Sequence, residues 1–98
     1  MLRNELIGIW KQKGGGSVLR LQADGKAVCE GHPKSGGVIR EEAVWKYVDE
    51  EHWSLFFKSD EEEGGVEVRE YAVVSFTPTR MELSVADYEF PVMYERVS

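Results

Sequence analysis

The sequence has few of the residues that crosslink a chain or anchor it in a membrane. Cys29 is its single cysteine, so no disulfide can form within the chain and a disulfide-stapled secreted fold is excluded. No apolar run approaches the roughly 20 residues that a membrane-spanning helix requires. We expect no signal peptide, because polar residues begin at Arg3 and charge recurs throughout. The expected location is the cytoplasm.

Positive charge is also scarce. The chain has 12 Lys and Arg residues against 18 Asp and Glu, which gives a formal net charge of −6. A surface of this sign repels nucleic acids and anionic membranes. We therefore expect neither as a partner.

The length and composition predict one globular domain over residues 1–98. Domains commonly contain roughly 100–150 residues, and a chain this short needs an efficient core. Three Trp, four Phe and four Tyr residues can supply one, because aromatic side chains bury a large area each.

Short apolar stretches separated by turn residues recur along the chain, a pattern typical of β-sandwiches and barrels. The pair Asp24-Gly25 is a strong hairpin signal. We predict the first strand over residues 5–12 and the last over residues 88–97, where Pro91 marks a bulge or an unpaired edge position. Residues 40–51 fit both helical and strand spacing, and their Val and aromatic content favours a strand.

The predicted fold is all-β, an antiparallel up-and-down meander of seven or eight short strands. Short connections make strands that are neighbours in sequence neighbours in the sheet. An open sheet of this size would leave two unpaired edges, and closing it into a barrel removes them.

Large aromatic residues fall on the predicted inward face of the strands. They can fill the barrel completely, or they can line a shallow pocket for a small apolar molecule at one end. The set is Trp10, Trp45, Tyr47, Trp53, Phe57, Tyr71, Tyr88 and Phe90.

Several motifs together resemble a known family. Gly8-Ile9-Trp10 lies on the first strand, Asp24-Gly25-Lys26 forms a hairpin, and residues 93–97 (Met-Tyr-Glu-Arg-Val) end the chain's last strand. The combination resembles the small bacterial lipocalin-like domains of the calycin group. The resemblance implies a lipocalin-like barrel in which Trp10 and Arg96 are partners that close one end.

The resemblance also implies a non-enzymatic protein that binds a small hydrophobic ligand at the open end of the barrel. The side chains predicted to line that end are those of Trp45, Tyr47, Trp53 and Phe57. A protein of this kind needs no cofactor.

Patterns for catalysis or metal binding are weak. The Gly14–Gly16 run lacks the Lys and the following helix of a phosphate-binding loop. The acidic residues 60–63 are consecutive, whereas a calcium loop places its ligands at alternating positions. His32 and His52 have no Cys or second His at zinc-ligand spacing. We therefore predict no metal site and no enzymatic activity.

The alternative function is a protein-interaction or homodimerisation module whose barrel is filled and holds no ligand. Four apolar residues fall on the predicted outer faces of the strands, and an exposed apolar strip is typical of an association surface. They are Phe56, Val74, Phe76 and Met93.

Overall fold

A computed structural model of the chain describes residues 2–31, 36–58, 66–85 and 89–97. The acidic loop at residues 60–63, His32 and Tyr88 lie outside these ranges. The described residues form one short helix and eight strands. These are α1 (Arg3–Leu6), β1 (Gly8–Gln12), β2 (Val18–Leu21), β3 (Lys26–Gly31), β4 (Ile39–Asp49), β5 (His52–Lys58), β6 (Val66–Thr77), β7 (Arg80–Val85) and β8 (Val92–Arg96).

The strands form a closed antiparallel barrel in which each strand pairs with the next one in sequence. Closure comes from β8 pairing with β1, with Trp10 opposite Arg96 and Gln12 opposite Tyr94. The prediction of an all-β meander closed into a barrel is confirmed, and the strand count is eight. Residues 40–51, which also fitted helical spacing, form most of the long strand β4 and the turn after it.

The hairpin predicted at Asp24-Gly25 connects β2 to β3. Gly25 has a φ of +90°, a conformation that residues with a Cβ rarely adopt. The Asp24 carboxylate accepts a hydrogen bond from the backbone N–H of Lys26 at 3.0 Å. Local residue chemistry therefore sets this turn.

The predicted first strand, residues 5–12, begins too early. Residues Arg3–Leu6 are helical, and β1 starts only at Gly8. The backbone N–H of Leu2 donates to the Glu5 side chain at 2.6 Å, which holds the first turn of the helix. Leu6 is fully buried in the barrel core, so α1 carries an apolar plug into one end of the barrel.

A β-bulge in β6 corrects the predicted orientation of Phe76. The register against β7 shifts between Val73 and Ser75, so one extra residue is inserted there. Val74 faces solvent, as predicted, but the extra residue turns Phe76 inward, where it packs against the core. The prediction that Phe76 lies on the outer face is wrong. It assumed that side chains alternate without interruption along the strand, and the extra residue at the bulge reverses the faces of the residues after it.

The predicted inward orientation of Phe90 is also wrong. Its side chain is 77% exposed. Phe90 precedes Pro91, and β8 begins only at Val92. The alternation that places β8 side chains inside therefore does not extend back through the proline to Phe90.

The barrel has two distinct ends. Arg3 of α1 donates to the carbonyl of Ala23 at 3.0 Å, and Arg96 donates to the carbonyl of Pro78 at 2.6 Å. Helix α1, the β2–β3 turn and the β6–β7 turn therefore share one end, here called the α1 end. The strands alternate in direction, so the β1–β2 turn at residues 13–17 lies at the opposite end, here called the open end.

Candidate functional site

The interior of the barrel is apolar and buried from the α1 end to its middle. Side chains from α1 and all strands except β8 meet there and leave little contact with solvent. The residues are Leu6, Trp10, Leu19, Leu21, Ala27, Ala43, Trp45, Trp53, Leu55, Phe57, Tyr71, Met81 and Leu83. This part of the barrel is filled.

A stacked aromatic pair within this core borders the space at the open end. The rings of Trp53 and Tyr71 are nearly parallel, with centroids 4.4 Å apart and an angle of 17° between their planes. Trp53 is fully buried, whereas Tyr71 also lines the space at the open end. The pair therefore forms an aromatic floor beneath that space.

Two cavities occupy the open end, with volumes of about 230 and 240 Å³. They share four lining residues: Ser17, Arg69, Tyr71 and Tyr94. The first is completed by Gln12, Glu67, Val85 and Val92. The second is completed by Val18, Leu19, Cys29, Glu30, Gly31, Ile39 and Glu41. We refer to them together as the open-end cavities.

The hydrophobic pattern of β6 is inverted next to these cavities. Tyr71 is an inward-facing core residue, and alternation along the strand therefore places Glu67 and Arg69 on the inner face as well. Val68, between them, lies on the outer face and is 47% exposed, while the side chains of Glu67 and Arg69, which border the open cavities, are 63% and 43% exposed. A barrel built for stability alone would place the valine inside and the two charges outside.

Arg69 lines both cavities, and its side chain is 43% exposed. Its guanidinium carbon lies 4.6 Å from the centroid of the Phe57 ring, and its Nε lies 3.4 Å from a carboxylate oxygen of Glu67. Partial burial alone would lower the pKa of Arg69. Interaction with Tyr71 and Glu67 outweighs this effect and raises the pKa, so the side chain is cationic.

Cys29 also faces the open-end cavities. Burial raises the pKa of its thiol to about 11, and Glu41 adds to this effect while Arg69 opposes it. The thiol therefore stays protonated at neutral pH and is a poor nucleophile.

The aromatic residues predicted to bind ligand are spread along the barrel axis. The indole N–H of Trp45 donates to the carbonyl of Gln22 at 2.7 Å, and Arg3 of α1 lies 4.8 Å from the Trp45 ring centroid. Trp45 is thus at the α1 end, and Tyr47 lies two residues closer to the turn at that end. The structure places both at the same end as Trp10 and Arg96.

The other two predicted ligand-binding residues lie nearer the open-end cavities. Trp53 is buried and stacks on Tyr71, its partner in the register of β5 and β6, and Phe57 is buried against the guanidinium of Arg69. Neither is among the described residues that line the cavities. In the structure they pack against the cavity-lining side chains of Tyr71 and Arg69.

The residues that the family resemblance implied to be partners, Trp10 and Arg96, are in contact. The guanidinium carbon of Arg96 lies 4.2 Å from the Trp10 ring centroid. Arg96 also donates to the carbonyl of Ile7 at 2.8 Å and to the carbonyl of Glu5. The Trp10 indole N–H donates to the carbonyl of Leu6 at 2.9 Å. This group ties the end of α1 to β8.

Sequence reasoning missed the polar lining of the open end, above all Arg69. A signal was present, because Glu67, Arg69 and Tyr71 alternate along one strand. Once Tyr71 is assigned to the interior, the same parity assigns both charged residues to the interior. Charged residues are usually assigned to the surface, which hides this signal.

The described residues contain no group of three or more His, Cys, Asp or Glu side chains that could hold a metal ion. His52 lies beside Asp49, with Nδ1 2.8 Å from a carboxylate oxygen, and both side chains are exposed. In the part of the chain that the structure describes, no helix is long and apolar enough to cross a membrane.

The outer surface carries one apolar row that crosses three strands. Val44, Phe56 and Val68 lie opposite one another in the registers of β4, β5 and β6. Val44 and Val68 are exposed and Phe56 is half-buried. An open groove beside the row, of about 400 Å³, is lined by charged residues that include Lys26, Arg40 and Glu42.

Comparison with solved structures finds the same barrel in other proteins. A lipocalin-like protein from Bacteroides uniformis superposes with a TM-score of 0.67 at 15% sequence identity, covering 94% of this chain and 98% of that one. An uncharacterized protein from Bacteroides eggerthii gives a TM-score of 0.65 at 17% identity, covering 92% and 98%. No protein-family model and no curated protein matches the sequence. At these identities the likeness shows the fold, which is a lipocalin-like β-barrel.

Proposed function

We propose that this barrel is a non-enzymatic binding protein that holds a small organic molecule in its open-end cavities. The observation that carries the proposal is the inverted pattern of β6, where Glu67 and Arg69 face the lumen and Val68 faces solvent. Sequences depart from the pattern that favours stability chiefly at functional sites. A polar lumen above an aromatic floor is such a departure.

The size of the cavities limits the ligand. Sites for drug-sized molecules commonly measure about 300–1,000 Å³, whereas each open-end cavity measures about 230–240 Å³. The filled α1 half leaves no room for a long apolar chain. The ligand is therefore a compact molecule, with a ring or short chain against Tyr71 and polar atoms toward Arg69.

The chemistry of the lining supports binding rather than catalysis. Cys29, the thiol in the lining, has its pKa raised to about 11 by burial. Arg69 stays protonated and is a poor general base. The predicted absence of a cofactor and the predicted cytoplasmic location stay predictions.

A titration monitored by NMR tests the proposal. We would add benzoate, benzamide and benzylamine in turn to the full ¹⁵N-labelled chain, since the three share a phenyl group and differ in charge. We expect at least one probe to shift the amide signals of Ser17, Arg69 and Tyr71 saturably, while that of Leu6 at the α1 end does not move.

A pair of variants provides the control. Ser17→Trp places a large ring in the lining of both cavities, and Ser84→Trp places the same ring on an exposed position of β7. We expect the first variant to abolish the saturable shifts and the second to preserve them. The proposal is overturned if no probe gives saturable shifts, or if the shifts survive in Ser17→Trp.

A second candidate function is homodimerisation through the outer row of Val44, Phe56 and Val68. Glu42 and Arg40 lie two and four residues before Val44 on β4. Charges of both signs therefore flank one end of the row, and a two-fold partner can place unlike charges together. Sedimentation equilibrium tests it. A dimer that dissociates in Val44→Glu but not in Val74→Glu, which changes an exposed valine elsewhere, supports it, and a monomer at all concentrations excludes it.

A further inference from the structure

We infer that the molecule held in the open-end cavities is a small monocarboxylate whose carboxylate binds at the edge of the Arg69 guanidinium. This inference rests on the proposed function and adds the charge of the ligand to it. Four features of the lining carry it: the position of Arg69, the orientation of its guanidinium, the neutral donors around it and the acidic residues near it.

Arg69 is the only cationic residue among the described residues that line either cavity, and it lines both. It lies one inward-facing position deeper in the barrel than Glu67, because β6 runs from the open end toward the α1 end. A ligand that reaches the floor at Tyr71 must therefore pass beside the guanidinium.

The orientation of Arg69 suits a planar anion. Its guanidinium carbon lies over the Phe57 ring, 4.6 Å from the ring centroid, so an apolar surface covers one side of the group. The N–H groups of a guanidinium lie in its plane and form a fork that matches the two oxygens of a carboxylate. Glu67 approaches this plane at Nε, 3.4 Å away, which is longer than a strong charge-assisted hydrogen bond. The side chains of Arg69 and Glu67 are 43% and 63% exposed, so water screens their ion pair. The guanidinium also has a hydrogen bond to the Tyr71 side chain, which leaves its other N–H groups for a ligand.

Hydroxyl groups surround the same space. Ser17, Tyr71 and Tyr94 line both cavities. A hydroxyl that already accepts a hydrogen bond, as that of Tyr71 does from Arg69, can still donate one to an anion. The lining therefore offers one positive charge and several hydroxyl donors. This composition suits a ligand group that accepts hydrogen bonds and carries a single negative charge.

The acidic residues of the lining limit the ligand to one negative charge. Glu67 lines the first cavity, and Glu30 and Glu41 line the second. Arg20 lies 3.4 Å from Glu30 and partly offsets its charge, which leaves Glu41 and Glu67 to repel a second negative charge. A phosphate or phosphonate dianion is therefore disfavoured relative to a carboxylate.

The test compares probes of one shape and different charge on the folded full-length protein. We expect benzoate to bind about tenfold more tightly than the neutral benzamide, since a hydrogen bond to a charged group contributes about 1.5–3 kcal/mol. Phenylphosphonate, studied at mildly alkaline pH as a dianion, should bind no more tightly than benzamide. We expect benzylamine, a cation, to bind more weakly than benzoate.

Variants at Arg69 test whether this residue causes the preference for benzoate over benzamide. Arg69→Gln should weaken benzoate binding about tenfold while changing benzamide binding by less than about twofold. Arg69→Lys keeps the charge but loses the fork, and should restore part of the preference. Arg80→Gln removes an exposed arginine at the α1 end and should change neither affinity. Dispersion of the NMR spectrum verifies that each variant is folded.

The outcomes separate the two claims. If none of the probes binds, the proposed function fails and the inference fails with it. If benzamide binds but benzoate is not preferred, or if benzylamine or phenylphosphonate binds more tightly than benzoate, the inference is overturned while the proposed function stands. A benzoate preference that persists in Arg69→Gln also overturns it.

Discussion

The guanidinium of Arg96 lies 4.2 Å from the ring centroid of Trp10, and the two residues are directly opposite in the register that closes the barrel. From this position Arg96 donates to the backbone carbonyls of Ile7 and Pro78. It therefore joins β8, the residue after α1 and the β6–β7 turn. We propose that this arrangement stabilises closure of the α1 end.

Replacing Arg96 with Met tests that role. The change keeps much of the side-chain packing but removes the cation–π contact and the hydrogen bonds to carbonyls. We expect a loss of roughly 2–4 kcal/mol in the free energy of unfolding, measured by urea denaturation. Arg96→Lys should recover only part of the loss, because an ammonium cannot reproduce the planar fork.

Arg80 is the matched control for Arg96, since it is exposed on the adjacent strand β7 at the same end of the barrel. Arg80→Met should change the free energy of unfolding by less than about 0.5 kcal/mol. Equal losses in the Arg96 and Arg80 variants would contradict the role assigned to Arg96.

Leu6 and Leu2 provide a matched test of the α1 plug. Leu6 is fully buried in the core, whereas Leu2, four residues earlier, is 61% exposed. We expect Leu6→Ala to lower the free energy of unfolding by about 2–5 kcal/mol, because truncation leaves a cavity at the end of the barrel. Leu2→Ala should change it by less than about 0.5 kcal/mol. A small loss for Leu6→Ala in urea denaturation would mean that α1 does not seal the barrel.

Most of the barrel could be predicted because alternation and turn chemistry are local properties of a sequence. Asp24-Gly25 needs only its own backbone conformation to form a turn, and the inward positions Met81, Leu83 and Val85 follow from period-two spacing. Each such signal depends on neighbours a few residues away.

The errors came where alternation is interrupted. No glycine or proline marks the bulge between Val73 and Ser75, so the inward turn of Phe76 had no local signal. Helix α1 is only four residues long, and its stability comes from burial of Leu6 in the barrel rather than from helix propensity.

The candidate site was harder to predict than the fold because parity gives the face of a residue and not its height along the barrel axis. Trp45 and Tyr47 face inward as predicted, yet they lie at the α1 end. Height depends on strand length and register across neighbouring strands. The same limit concealed that Arg69 reaches the open end.

Trp10 and Trp53 are both fully buried but differ in hydrogen bonding, which predicts different responses to substitution by Phe. The Trp10 indole N–H donates to Leu6 at 2.9 Å, whereas the Trp53 indole N–H has no partner among the described residues. Trp53→Phe removes a buried donor that lacks a partner, which offsets the loss of packing, so we expect a change within about 1 kcal/mol. Trp10→Phe loses both packing and a hydrogen bond, and should cost about 2–4 kcal/mol.

Urea denaturation of the two variants, measured side by side, checks this prediction. Equal losses would mean that the Trp53 indole has an acceptor, such as a buried water molecule, in solution. A crystal structure with ordered water at that nitrogen would show which atom accepts.

The raised pKa of the Cys29 thiol predicts how the free energy of unfolding changes at alkaline pH. Burial raises its pKa in the folded chain to about 11 from an ordinary value of 9.0. Between these values the unfolded chain releases the thiol proton while the folded chain retains it, so the thiol's contribution to stability is complete below pH 9 and declines as pH rises toward about 11. We expect the free energy of unfolding, measured by urea denaturation across this range, to fall more steeply in the wild type than in Cys29→Ala, which cannot titrate there.

Alkylation by iodoacetamide should likewise be slower for the folded chain than for the unfolded chain at the same pH. Identical pH slopes for the two proteins would show that the thiol is not shielded, and would remove the basis for treating Cys29 as an unreactive part of the cavity lining.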